Sequence, residues 1–266
     1  MRALLLFTLL LSSTALAGAE VATELPEVAR VSAPRGTPFI VRGKLTPARG
    51  QALTALARAG QRDVTRRFLS ADDHSALPPV ELCFFEDAKS YDAFVARLLD
   101  GAPAPSPLGF YEPSLRAVVA NVGLSVGNLR HELSHALVGD DFPDVPSWLT
   151  EGVGALYGTA SLQKDGTFRF VANYRLWDLR AAKTAGTLPT LDELVSSSSA
   201  DVYGDRAMTF YGLSRHLLLY LDRAGTLRAL FSDFRAAAPG ARAAVLKRYV
   251  DEQKFLAWTD TLVIGR

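Results

Sequence analysis

The pattern of apolar residues predicts an α+β protein, with a small N-terminal sheet lobe packed on a mainly helical C-terminal lobe. Up to about residue 121, short β-branched and aromatic runs alternate with segments of helical period; from residue 127 onward the period is helical almost throughout. A chain of 266 residues suffices for one sizeable domain or two small lobes, and no repeat of long period divides it further.

The first residues serve a different purpose. Met1 and Arg2 precede a nearly unbroken apolar run over residues 3–11, followed by Ser12, Ser13 and Thr14, then Ala15 and Ala17 around Leu16. A positive start, an apolar stretch and a small-residue cleavage site make a secretory signal peptide over residues 1–17, which predicts an exported protein, periplasmic or extracellular. The run is too short to span a bilayer in the mature chain and no other approaches that length, so no integral membrane segment is expected. No cysteine follows the cleavage site, which argues against lipid attachment there. Removing residues 1–17 from 266 leaves about 249 and takes the formal charge from +1 to 0 with the loss of Arg2. No global field then recruits nucleic acid or an anionic membrane. Cys83, the sole cysteine, excludes an intramolecular disulfide, and its apolar neighbours over residues 80–85 predict a buried thiol.

Residues 18–36, with Pro26, Pro34 and Gly36 and no clear period, read as a linker or lead-in, and residues 37–266 as one domain. Pro38 suits the start of a strand over residues 39–45. A helix follows over 48–69, with Leu53, Leu56, Ala57 and Val64 at helical spacing and Arg62, Arg66 and Arg67 on a solvated face. A second strand covers 80–85. Tyr91, Phe94, Val95, Leu98 and Leu99 form the inner face of the next helix. After a Pro- and Gly-rich break over 101–108, two short strands at 110–111 and 117–120 join through Glu112, Pro113 and Ser114. The helical region opens with residues 128–138, stopped by Gly139, and continues after a polar loop with a helix from about Pro146. Lys164-Asp165-Gly166-Thr167 predicts a hairpin turn between 161–162 and 168–171. Residues 191–195, 203–221, 225–237 and 241–250 read as further helices, with the serines at 196–199 as a loop.

Chemistry concentrates in His131-Glu132-Leu133-Ser134-His135. Residues four apart on a helix differ by about 40° around the axis and about 6 Å along it, so both imidazoles can converge on one ion from one face. Glu132 lies about 100° further round, placed to take a proton from an attacking water rather than to bind the ion. With four histidines and ten glutamates in the chain, such a pentapeptide is expected by chance about 0.002 times. The apolar flanks Leu129, Ala136, Leu137 and Val138 supply the helical context that the motif needs. A catalytic zinc site wants three protein ligands and one open position, and no third histidine lies close downstream. Glu151, in Pro146-Ser147-Trp148-Leu149-Thr150-Glu151-Gly152, is the candidate. Sixteen residues separate it from His135, enough for one helix to end and a second to pack alongside. Trp148 and Leu149 would anchor that second helix, and Gly152 and Ala155 would permit close approach of the metal-bearing helix.

Residues 130–158, from Arg130-His131-Glu132 through Trp148-Leu149-Thr150-Glu151-Gly152 to Tyr157, resemble the peptidase-MA-like gluzincins of secreted bacterial type. Phe84-Phe85-Glu86-Asp87 before Tyr91, Gly109-Phe110-Tyr111, and Tyr203-Gly204-Asp205-Arg206-Ala207 with Tyr211 resemble flanking segments of that group, so the likeness runs over about residues 37–235. The resemblance implies a zincin-like active-site helix at the junction of the lobes, one Zn2+ per chain on His131, His135 and Glu151, and Glu132 as general base in peptide hydrolysis. Thermolysin-like members carry an aspartate four residues after the ligand glutamate, where this chain has Ala155. Support for the histidines must then come from elsewhere, with Asp140, Asp141 or a backbone carbonyl as candidates.

Tyr203, Tyr211, Tyr157 and His216 are candidate donors to the oxyanion of a tetrahedral intermediate, Tyr203 first, as the residue that opens a helix. His216, among Leu213, Leu217 and Leu218, otherwise reads as a core helical histidine. Residues 117–121 are a candidate edge strand for an extended substrate, with an ordinary internal strand as the alternative. His74, after Asp72 and Asp73, is not expected to hold a second metal. The expected partner is a peptide or protein substrate. Two other functions compete: a non-catalytic envelope binding protein on a peptidase scaffold, and a zinc hydrolase of another bond such as a cell-wall amide.

Overall fold

The computed structural model describes residues 20–265; the signal peptide expected over 1–17 lies outside the described residues. The fold is α+β, and the chain divides into two compact units, one of residues up to 58 with 73–136, the other of 59–72 with 137–266. Helices α1 (Pro47–Phe68) and α3 (Val126–Asp141) each contribute residues to both.

The first unit is built on a five-stranded sheet. Strands β1 (Glu27–Ala33), β2 (Gly36–Arg42), β3 (Val80–Phe85), β4 (Gly109–Glu112) and β5 (Ala117–Asn121) take the order β1-β2-β3-β5-β4. β2, β3 and β5 run parallel, while β1 and β4 close the two edges antiparallel to their neighbours. Val80, Leu82, Cys83 and Phe84 and all of β5 are buried, the near-continuous apolar burial of parallel strands covered on both faces. Helix α2 (Ala88–Leu98) is capped by Asp87, whose carboxylate accepts from Ser90 N at 2.8 Å. Its Tyr91, Phe94, Val95 and Leu98 pack with Cys83, Phe85 and Phe110. Burial pushes the Cys83 thiol pKa up to about 12, so it stays an inert thiol.

Three expectations for this unit need correction. Residues 27–33, expected within a lead-in, form β1, because the hairpin supplies β2 with the antiparallel partner that its outer side needs. Pro38 lies inside β2 rather than at its start. The register slips by one between the Val31–Phe39 and Ala33–Gly36 pairs, a bulge that leaves a position where no ladder N–H is required. β5 is not an edge, since β3 and β4 flank it; that expectation fails and the ordinary internal strand stands.

The second unit is helical. It holds α4 (Ser147–Gly158), the hairpin of β6 (Ser161–Leu162) and β7 (Phe168–Arg169), and α5 (Arg175–Thr184). After these come α6 (Leu191–Ser196), α7 (Ser199–Tyr203), α8 (Ala207–Arg223), α9 (Leu227–Ala236), α10 (Arg242–Lys247) and α11 (Glu252–Thr261). α8 is the central helix, with every residue from Gly212 to Leu219 buried. Two glycines let its neighbours approach. A Cβ on Gly152 would meet Leu218 Cδ1 at 2.8 Å, and one on Gly212 would meet the Arg175 carbonyl oxygen at 2.8 Å. Gly152 therefore serves the packing of α4 on α8. Trp148 and Leu149 are fully buried, with Trp148 edge-on to Phe234.

Here too the helix boundaries shift. α3 runs through Gly139 to Asp141, because Ser70 and Arg235 hold the Asp141 carboxylate and anchor the last turn. The helix expected over 203–221 is broken at Gly204, and Tyr203 closes α7 instead of opening a helix. Ser198 caps α7 in a reciprocal box with Asp201, which turns part of the serine run into a helix start. Helices α5 and α11 add to those expected. Arg67 departs from the solvated face: it reaches Asp63, Asp222 and the Phe168 carbonyl, while Arg62 and Arg66 are exposed.

Candidate metal centre

Helix α3 carries His131 and His135 one turn apart, with ring centroids 4.8 Å from each other and planes at 74°. Ligand atoms of His131, His135 and Glu151 all lie within 4.8 Å of one another. Two imidazoles and a carboxylate are the donor set of a tetrahedral zinc site with one position left for water, in which neighbouring donors stand about 3.3 Å apart. The donors fit such an ion with side-chain adjustments on the order of 1 Å. Among the described residues this is the one such cluster of histidine, cysteine and acidic side chains, and His74 is not in it.

Glu132 is buried, and its Oε1 accepts from Asn128 Nδ2 at 3.1 Å, one turn earlier on the same helix. Asn128 has its place because residue 109 is a glycine. With φ of +137°, Gly109 adopts a backbone that side chains avoid, and a Cβ there would come within 2.9 Å of Asn128 Nδ2. Sequence reasoning missed Asn128, although a carboxamide four residues before a carboxylate on a helix is a legible signal. Ser134, inside the motif, turns its hydroxyl to the His131 carbonyl at 2.7 Å.

Glu151 sits on α4 and is 5% exposed, so its carboxylate needs polar company. Tyr203 supplies it: its Oη donates to Glu151 Oε1 at 2.9 Å, and Tyr211 stands near the same carboxylate. Burial, then the Glu151 charge, holds the Tyr211 pKa above its ordinary value. Tyr203 itself is 54% exposed, with its ring at the surface and its hydroxyl on the acid. The other two candidate donors are elsewhere. Tyr157 is fully buried and donates to Asp63 Oδ2 at 2.8 Å, in the network that Arg67 and Asp222 complete. His216 is fully buried, its Nδ1 bonded to the Gly212 carbonyl at 2.7 Å, and burial lowers its pKa to about 3. Both are core groups.

Asp141 is engaged by Ser70 and Arg235. At Ala155, where thermolysin-like enzymes carry an acid, the backbone carbonyl accepts from Arg215 Nε at 3.1 Å. No family model and no curated protein matches the chain.

Proposed function

We propose that the chain is an exported, zinc-dependent metallopeptidase of gluzincin type. The observation that carries this is the convergence of His131, His135 and Glu151 within 4.8 Å, with Glu132 next to one of them on the same helix. Their chemistry matches zinc better than magnesium or calcium, which prefer all-oxygen shells. Zinc bound there would polarise a substrate carbonyl and lower the pKa of water at the open position. Glu132 would accept the proton of the attacking water and deliver it to the leaving amine. Asn128 would keep that carboxylate in one rotamer, and Tyr203 would hold the Glu151 carboxylate in its buried position. The signal-peptide pattern over residues 1–17 supports export. Among the described residues no helix is long and apolar enough to cross a membrane.

The test measures zinc content and peptide cleavage in the wild type and in Glu132→Gln. The expected result is about one zinc per chain in both, with turnover reduced by at least about a hundredfold in the variant. Equal turnover in the two proteins, or a wild type that neither retains zinc nor cuts a broad peptide library, would refute the proposal.

A further inference from the structure

Beside Glu151, the second unit presents an arginine held between two tyrosines. Arg175 opens α5, where its backbone N–H donates to Asn173 Oδ1 at 3.1 Å and its carbonyl presses on Gly212 of α8. Its guanidinium carbon lies 4.7 Å from the centroid of Tyr211 and 5.5 Å from that of Tyr174, and Nη1 is 4.0 Å from Met208 Sδ. Several other arginines of this unit satisfy their guanidinium with oxygen. Arg180 and Arg215 bond backbone carbonyls, and Arg242 pairs with Asp144. Among the described residues, Arg175 has aromatic faces and a thioether around it and neither a carboxylate nor a carbonyl at its guanidinium. A half-buried cation fixed in this way keeps its forked donors for a group from outside.

The same tyrosine joins this cation to the candidate centre. Tyr211 stands near the Glu151 carboxylate and carries Arg175 on its ring, so guanidinium and carboxylate are roughly 10 Å apart, about three residues of an extended peptide. Around Arg175 the surface is apolar and open: Tyr174 is 48% exposed and Met208 50%. We propose that Arg175 is a specificity-determining residue, which binds a carboxylate of the substrate while Tyr174 and Met208 contact the residues beside it. This rests on the reading of His131, His135 and Glu151 as the reaction centre. The carboxylate is either the free C-terminus of a short peptide or an acidic side chain.

Binding and cleavage are measured separately, so that the two ideas can fail separately. Zinc-loaded Glu132→Gln protein is titrated calorimetrically with a neutral hexapeptide bearing a free C-terminus, with its C-terminal amide, and with that amide carrying one internal glutamate. The free acid or the glutamate peptide should bind at least about tenfold more tightly than the neutral amide. Whichever does so identifies the source of the carboxylate. Adding Arg175→Gln should abolish the difference, and Arg175→Lys should retain part of it; thermal unfolding confirms that each variant is folded. In the wild type, Arg175→Gln should raise KM for the preferred peptide more than it lowers kcat. Equal affinity for all three peptides, no binding of any, or a preference that survives Arg175→Gln overturns the assignment. A carboxylate preference that depends on Arg175, with no peptide cut by the wild type, leaves the assignment standing and sinks the peptidase reading instead.

Discussion

Buried polar side chains in this protein are assigned to tasks by the company they keep. Asp63, 2% exposed, takes hydrogen bonds from Tyr157 and Arg67, and serves the core of the helical unit. Glu151, nearly as buried, takes a bond from Tyr203 and stays with the histidines. His216 shows what burial does to a base. In the unfolded chain it titrates near 6.5, whereas in the fold its pKa falls to about 3 through desolvation and the nearby Arg215 charge. Between these values the unfolded state holds the extra proton, so folding stability is full above about pH 6.5 and declines as pH falls toward 3. The loss is about 1.4 kcal/mol per pH unit at most. Thermal midpoints recorded from pH 7 to pH 4 should therefore fall more steeply in the wild type than in His216→Leu. Parallel curves would show that His216 carries no such linkage.

Among the helices, glycine has two opposite meanings. Gly139 was expected to end its helix, yet α3 continues two residues beyond it, and a Cβ there would meet nothing within 4 Å. Gly139→Ala should stabilise the protein by about 0.5–1 kcal/mol, through lower unfolded-state entropy and better helix propensity. Gly152 sits where α4 touches α8, and its Cβ would meet Leu218 at 2.8 Å and the Ser214 carbonyl at 3.2 Å. Gly152→Ala should cost about 1–3 kcal/mol. Denaturant unfolding of the two variants checks both signs, and a destabilised Gly139→Ala would mean that the α3 terminus needs glycine after all. Strand β3 and helix α2 were legible in sequence because burial on both faces and a one-sided apolar stripe are local patterns. The exit from α3 was not, because residues 71 and 94 positions away in sequence hold Asp141 in place.

For the molecule as a whole, the proposed zinc, shared by residues of two different helices, would tie binding to folding, since the unfolded chain has no preformed site. Removing zinc with a chelator should abolish peptide cleavage and lower the thermal midpoint. A metal present at about a thousand times its Kd contributes about 4 kcal/mol, worth roughly 8–15 °C in a chain of this size. Adding zinc should restore both, and magnesium should restore neither. A midpoint indifferent to chelator and zinc would mean that the cluster does not hold a metal in the native state.

The pentapeptide at 131–135 and the tryptophan–leucine–x–glutamate–glycine segment were readable in the chain because their geometry is local: one helical turn sets the histidine spacing, whatever else folds. The α+β class was readable for the same reason, since periods of two and 3.6 residues follow from strand and helix geometry. The partners of each polar group were not. Tyr157 and Tyr203 looked equivalent as candidate donors, yet one bonds Asp63, 94 residues away, and the other Glu151, 52 residues away. Helix periodicity says which face of a segment is apolar and is silent on which distant segment that face will meet. Packing makes that choice, and with it decided which tyrosine bonds Glu151 and which strand lies at the sheet edge.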